Sequence, residues 1–534
     1  MIFDAPPVSS VTRPSTASTT SPTRLGQALA ILLLTWWILP FLAFFVVAAP
    51  GGIGFEFQLG FKSGATALVL ASLVALGLRL VAMGSSLVEI WRRRKRRAVE
   101  MEWTLPNSER IRPISIVLWL SGGREQAVET IDRLLVLDYP RFEVIVVNDG
   151  VTDGTQACLQ EAFLLHPTSR IIQQSVPMKA EPTLYASAKH ANLTVVAKPE
   201  TGREDSLNCG LNLSRYPLIC ALDAQVTLDP DALIELARGF IEEVAQTVAV
   251  SCLAEFPGDT STPSSSDIRL SADGIAPSYV MTQRLVSTAP ASRPLDDLQR
   301  VDRAAQFHAQ WFLRAGVGNM ALLPGVVSLL KKTEIVAAGG YRTGRAADTL
   351  DLLLTAYAAR KQEETRRVLF LPEVMARIPP ASSLDSAMTA RAVATRETFG
   401  VIVRHLGLTF GGQGDWRARV ALPIFIVASI AAPIWEWFAI LLVDIAALAG
   451  GFTFSELVAL LVLFVAIGLA DGLCAILCDE ASNRRRRSTA EILRLVLAAV
   501  KHAVGFRWMM GLAHLRGMLA YISGSSIRET IVLK

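Results

Sequence analysis

Leu137-Asp-Tyr-Pro-Arg-Phe-Glu-Val-Ile-Val-Val-Asn-Asp-Gly-Val-Thr-Asp-Gly-Thr155 is the stretch on which the reading of this chain turns. Its centre, Glu143–Val147, reads as a β-strand that stops at Asn148-Asp149-Gly150. Upstream, Ile114–Leu118 reads as another strand, and Ala127, Val128, Ile131, Leu134 and Leu135 then recur at helical spacing. Downstream, Leu193–Val196 and Leu218–Leu222 are further strands, and Pro230–Phe240 is a helix with Asp229 placed to cap it. Strands alternating with helices predict a mainly parallel sheet covered by helices, here over residues 111–410. Within that domain residues 257–294, rich in Ser, Thr, Pro and Asp, read as an inserted mobile loop.

The segments on either side have a different character. The chain has 534 residues, of which 51% are hydrophobic and 19% charged, and the apolar excess is concentrated outside the α/β domain. Residues 1–24, rich in Ser, Thr and Pro, read as disordered. Residues 25–91 hold two apolar stretches, Leu25–Phe55 and Ser63–Ile90, each longer than the roughly 20 residues needed to cross a bilayer. Residues 418–480 hold two more, Val420–Val443 and Leu457–Cys478. The basic runs Arg92–Arg97 and Arg484–Arg487 follow spans, which predicts that they and the α/β domain face the cytosol. Residues 488–534 mix Lys501, Arg507, Arg516 and several His with Leu, Val and Met, the pattern of an amphipathic segment lying on the inner membrane face. The expectation is a multi-pass protein with about four transmembrane helices and both termini cytosolic. Arg79, Glu436, Asp444 and Asp471, in or near the spans, either line a pathway or sit at membrane surfaces and helix contacts. A net charge of only +4 gives no global electrostatic support for a nucleic-acid partner. The six cysteines form no zinc-type cluster and are expected as reduced, mostly buried thiols.

Two aspartates stand at predicted strand ends, Asp149 in Val-Val-Asn-Asp149-Gly and Asp223 in Ala-Leu-Asp223-Ala-Gln. Open parallel sheets bind ligands at that edge, although Asp-Gly also simply makes a turn. The wider pattern resembles the bacterial membrane glycosyltransferases of family 2, GT-A enzymes related to cellulose, hyaluronan and poly-N-acetylglucosamine synthases. The 137–155 stretch is similar to their nucleotide-binding segment. Asn192–Lys198 followed by Gly202-Arg-Glu-Asp-Ser-Leu-Asn208 resembles their Lys…Gly-Lys-Ala-Asp-Ala-Leu-Asn motif, and Asp223-Ala-Gln225 stands at their DxD. Gly339-Gly-Tyr-Arg followed by Asp348-Thr-Leu-Asp-Leu352 stands at their Glu-Asp motif, and Pro433-x-x-Glu436 and Gly505-Phe-Arg507 resemble landmarks of their C-terminal membrane region.

The resemblance implies a GT-A domain that performs inverting sugar transfer from a nucleotide-sugar. It implies that Asp149 holds the uracil or ribose, that Lys198 and Asn208 line the nucleotide site, and that Asp223, with Gln225 as a weaker ligand, holds Mg²⁺ or Mn²⁺ through the nucleotide. Asp348, and less so Asp351, are the candidate bases; both also read as charge at a helix start. Arg396 is the one element of the family's QxxRW motif, beside Gly400, that fits around residues 393–400.

Several positions depart from that pattern. Gln225 replaces a carboxylate, Thr349 stands at the position of the base, Glu397 replaces a Trp, and Trp119-Leu-Ser-Gly-Gly-Arg-Glu125 follows the first strand where Pro-Ala-Tyr-Asn-Glu is usual. Asp302-Arg303 stands for Glu-Tyr, and the Trp of the C-terminal region is missing at Gly524–Arg528. The expected activity is transfer from a cytosolic UDP-sugar to a polysaccharide or glycolipid at the bacterial inner membrane. The alternative is a catalytically impaired homologue acting as scaffold or partner of another polysaccharide-synthesis protein.

Overall fold

The computed structural model describes residues 24, 27, 28, 31, 53–100, 111–120, 124–151, 153–170, 172–242, 247–256, 293–310, 327–342, 348–358, 367–410, 416–448, 452–482, 487–525 and 527. The 257–294 insert lies outside them up to residue 292, as does most of the first expected span.

The strands are β1 (Ile114–Leu120), β2 (Phe142–Asp149), β3 (Leu165–Thr168), β4 (Thr183–Ser187), β5 (Leu193–Lys198), β6 (Leu218–Asp223), β7 (Thr227–Leu228), β8 (Thr247–Glu255), β9 (Val327–Lys331) and β10 (Arg367–Arg377). They form one sheet in the order β3-β4-β5-β2-β1-β6-β9-β8-β10-β7. The four strands read from the sequence, β5, β2, β1 and β6, are adjacent and mutually parallel. Antiparallel β9 joins this half to the parallel pair β8–β10, so the sheet is mixed, as a GT-A domain requires.

Strand β2 shows why its apolar run is continuous. Val144 and Val146 face one core layer, and Ile145 and Val147 face the other. The first layer packs α2 (Arg124–Leu135), α3 (Thr155–Phe163) and α5 (Ala232–Glu242) on the sheet through Ile131, Leu159 and Leu236. The second is centred on α4 (Arg203–Leu213), buried from Glu204 to Leu213. A Cβ on Gly210 would stand 2.2 Å from Val117 Cγ1, so only glycine allows α4 to lie this close to β1.

The domain continues through α6 (Pro294–Ala309), α7 (Lys332–Ala337), α8 (Asp348–Ala358) and α9 (Leu384–Arg404). The apolar helices are α1 (Ile53–Glu100), α10 (Trp416–Phe425) continuing through a π-turn into α11 (Ala432–Leu448), α12 (Phe454–Ser482), and α13 (Thr489–Lys501) continuing through a second π-turn into α14 (Arg507–Ser523). Four helical segments, Lys62–Arg92, Leu422–Ile445, Phe454–Ser482 and Thr489–Ser523, are long and apolar enough to cross a membrane by length and composition.

The last of these differs from the flat segment expected there. Its histidines face protein, His502 against Asp302 of α6 and His514 against Thr395 of α9, and Arg507 lies against Glu436, whereas Lys501 and Arg516 are exposed. The histidines in the pattern therefore reflect helix packing. Of the charges noted near the spans, Arg79 and Asp471 form a two-pronged pair at 2.9 and 2.6 Å, Glu436 lies 3.3 Å from Arg507, and Asp444 is exposed. All six cysteines are free thiols.

Candidate functional site

The C-terminal ends of four adjacent parallel strands define one edge. Sheet register pairs Asp149 of β2 with Lys198 of β5, and Trp119 of β1 with Asp223 of β6. The N-terminus of α4 abuts this edge, because the chain leaves β5 at Lys198 and turns at Gly202 into the helix.

The inner part of the edge is a closed polar knot. Asp149 accepts hydrogen bonds from the Thr201 and Gly202 amides at 2.9 and 3.0 Å and from Lys198 Nζ at 2.9 Å. Lys198 Nζ also lies 3.1 Å from Asp205 and 3.0 Å from Ser206 Oγ, and donates to Thr201 Oγ1. Asp205 in turn accepts from the Lys179 amide at 2.8 Å. The Lys198 side chain is 0% exposed. Gly150 has φ +68°, and a Cβ there would stand 2.5 Å from the Glu200 backbone nitrogen, which fixes the Asn-Asp-Gly turn as glycine. Asn148 completes the turn, accepting from the Val151 amide at 3.3 Å and donating to Gln156 at 3.0 Å.

Asn208 likewise faces inward. It donates to the Tyr341 carbonyl at 2.7 Å and accepts from the Tyr341 amide at 2.8 Å, tying α4 to the Gly339-Gly340-Tyr341 turn. Lys198 and Asn208, expected as nucleotide contacts, are thus placed behind the edge, where they hold its shape.

The outer part carries Asp223, Gln225, Trp119 and Arg203. Arg203 Nε donates to Asp223 Oδ1 at 2.9 Å, and its guanidinium carbon lies 6.0 Å from the Trp119 ring centroid. The Trp119 indole N–H is buried without a hydrogen-bond partner among the described residues. Asp223 is 41% exposed on its side chain, so its pair with Arg203 is open to solvent, and Gln225 is exposed.

This donor set does not fit the Mg²⁺ or Mn²⁺ site expected there. A hard divalent ion at a nucleotide site is held by one or two free carboxylates together with the substrate phosphates. Asp223 already holds a guanidinium, Gln225 is a neutral amide, and no three His, Cys, Asp or Glu converge among the described residues.

The remaining candidates lie apart from this edge in the chain. Asp348 begins α8, but its side chain lies outside the described residues. Asp351 is 3% exposed and is bonded to His405 Nε2 at 3.0 Å, with Arg404 at 3.5 Å. It anchors α8 to the end of α9, in place of the exposed helix-start charge or base expected of it. Arg396 on α9 is 3% exposed, and its Nε and Nη2 have no hydrogen-bond partner among the described residues.

Sequence reading did not single out Asp205 or the inward role of its partners. Their signal was present in the matched motif, where a buried lysine needs carboxylates within reach. It also missed the network under α6, where Asp302 accepts from Arg391 at 2.6 Å and from His502 at 3.3 Å. Burial would raise the Asp302 carboxyl, but Arg391 and His502 overcome it and hold the group well below the usual carboxylate range. Ser86 of α1 and His308 of α6 are joined at 2.9 Å, so α6 couples the α/β domain to α1 as well as to the C-terminal helices.

The mixed sheet and strand-end edge define a GT-A, nucleotide-sugar-transferase type of domain. Residues 123–291 match the family model of glycosyl transferase family 2; the chain therefore carries a glycosyltransferase domain of that family. Curated relatives include two poly-beta-1,6-N-acetyl-D-glucosamine synthases of Staphylococcus epidermidis. One is 25% identical over 132 residues, 25% of this chain and 26% of the relative, and the other is 24% identical over the same lengths. The matched part thus spans about a quarter of these relatives' length.

Similar solved structures include the mannosyltransferase PcManGT from Pyrobaculum calidifontis with GDP-Man and Mn2+, at 16% identity and TM-score 0.44, covering 76% of this chain and 98% of that one. S. aureus TarS 1-349 with UDP-GlcNAc is similar at 15% identity and TM-score 0.30, covering 62% and 88%. The fold assignment rests on the sheet and the family match, not on these superpositions.

Proposed function

We propose that this chain is a membrane-held glycosyltransferase that takes a cytosolic UDP-sugar and transfers its sugar, with inversion, to a polysaccharide or glycolipid acceptor. The carrying observation is the edge where β5, β2, β1 and β6 end side by side, with Asp149 and Asp223 on it, inside the segment that matches the family model. Ligands of open parallel sheets bind at such an edge. The polysaccharide acceptor is supported by the synthase activity named for the staphylococcal relatives.

In this reading the uridine lies against the Asn148–Gly150 turn and the diphosphate against the outer group around Asp223. The acceptor hydroxyl attacks the anomeric carbon, the bond to the diphosphate oxygen breaks, and UDP leaves. A carboxylate takes the hydroxyl proton. Asp348 is the candidate, since Asp351 is engaged by His405. The basic runs at Arg92–Arg97 and Arg484–Arg487 support a cytosolic domain in the bacterial inner membrane.

One observation favours a second reading, a non-catalytic partner of an active synthase. Thr349 stands where the base belongs, and Asp351 is a packed structural anchor. The test is UDP release by the purified protein in nanodiscs, offered a panel of UDP-sugars with oligosaccharide and lipid acceptors. Turnover that Asp348→Ala abolishes supports transfer. Absence of turnover with every donor, beside an active family member assayed identically, overturns it and leaves the partner reading. That reading further expects co-purification with a second synthase.

A further inference from the structure

We propose that Arg203, and not a divalent cation, supplies the positive charge that meets the donor diphosphate. The proposal rests on the reading of the strand-end edge as a nucleoside-diphosphate site and specifies how that site binds.

Two positions set the charge at this edge, one that has changed and one that keeps the cation of the resembled motif as arginine in place of lysine. The second carboxylate expected in the Asp223-Ala-Gln225 segment is an amide, which removes a negative charge that a metal would need. In the segment opposite, Gly202-Arg203-Glu-Asp places a guanidinium at the first turn of α4. The structure brings the two together, with Arg203 Nε 2.9 Å from Asp223 Oδ1. The cation therefore occupies the position from which Asp223 would hold a metal.

Arg203 is also held in place. Its guanidinium lies against Trp119, the register partner of Asp223 on the neighbouring strand. Its backbone follows Gly202, whose amide is fastened to Asp149 at 3.0 Å. A guanidinium carries five N–H donors in a planar fork, enough to keep a carboxylate and meet phosphate oxygens together. Unlike an ammonium, it stays charged at any working pH. The Trp119 indole N–H, buried and without a partner among the described residues, is a further donor beside it. The result is an edge whose cationic and donor groups come from the chain. In this arrangement Asp223 positions Arg203, and its own charge opposes the diphosphate.

The experiment is calorimetric titration of the nanodisc-held protein with UDP, in excess EDTA and separately in millimolar Mg²⁺ or Mn²⁺. The proposal expects UDP affinities within about threefold of each other in the two conditions. It expects Arg203→Ala to weaken UDP by at least about tenfold in EDTA, the loss of one charge-assisted contact. It expects Asp223→Asn to tighten UDP severalfold, because a negative charge leaves the phosphate site. Binding that appears only with metal, and that Asp223→Asn abolishes, overturns the proposal and leaves the nucleotide-site reading standing. No UDP binding in either condition overturns both. An unchanged unfolding temperature of Arg203→Ala serves as the control that the edge is folded.

Discussion

Replacing Lys198 by Met separates a structural lysine from a ligand-binding one. The ammonium lies between two buried carboxylates, Asp149 at 2.9 Å and Asp205 at 3.1 Å. With Lys198 present, the group of three carries one net negative charge, and without it two, in the same buried space. The carboxylates keep their other bonds, Asp149 from the Thr201 and Gly202 amides and Asp205 from the Lys179 amide. What is lost is the cation that lies between them. Removing one partner of a buried ion pair costs about 3–5 kcal/mol. For a domain of this size that corresponds to a fall in unfolding temperature of roughly 5–8 °C. Asp149→Asn should cost less, because Lys198 keeps Asp205. The assay is intrinsic-fluorescence melting of the detergent-solubilised protein, run in parallel with UDP titration. The prediction is a large loss of stability for Lys198→Met, a smaller one for Asp149→Asn, and UDP affinity that changes only with folding. An unfolding temperature that stays at the wild-type value while UDP affinity falls more than about tenfold would refute the reasoning, and would return Lys198 to the ligand.

Asp302→Ala leaves Arg391, 2.6 Å from it in the wild type and partly buried, without that carboxylate, and should destabilise by about 2–3 kcal/mol, measured as earlier loss of the folded state on heating in detergent. Gly150→Ala meets both a left-handed φ and a 2.5 Å approach to Glu200, and should cost at least about 2 kcal/mol, seen in the same melt. Burial and the neighbouring Asp479 carboxylate push Glu255 up to about 7, against the opposing Arg487 and Arg300. A carboxyl raised in the folded state binds its proton more tightly there than unfolded. Its contribution therefore favours folding below its unfolded value of about 4.3 and declines as pH rises through about 7. The melting temperature should fall across pH 5–8, and Glu255→Gln should flatten that slope; an unchanged slope would count against it.

The parallel half of the sheet was legible because its strands are predominantly apolar runs, as in Val144–Val147, which ends on Asn148-Asp149. The rest of the sheet was not. Strand β10 passes through Pro372 with register shifts around Leu371 and Val374, so no clean period survives in its sequence. β4 is only partly buried along its length, which weakens its apolar signal. The site residues were legible as residues, but not in their roles. Asp149, Lys198 and Asn208 lie at matched positions, yet what each does depends on groups far away in the chain. Lys198 faces Asp149, and Asn208 is bonded to Tyr341. Asp351 reads as a helix-start charge because its partners, Arg404 and His405, belong to another helix. The C-terminal helix has the same cause: His502 and His514 look water-facing until Asp302 and Thr395 are placed opposite them.

The central claim is that the edge formed by β5, β2, β1 and β6 is a surviving donor site. Its most direct test is an experimental structure of the nanodisc-held protein with a bound UDP-sugar. The account predicts the uridine against the Asn148–Gly150 turn and the diphosphate within hydrogen-bond reach of Arg203, beside Asp223 and Trp119. Nucleotide bound elsewhere, or an edge that stays closed at saturating UDP-sugar, would contradict it.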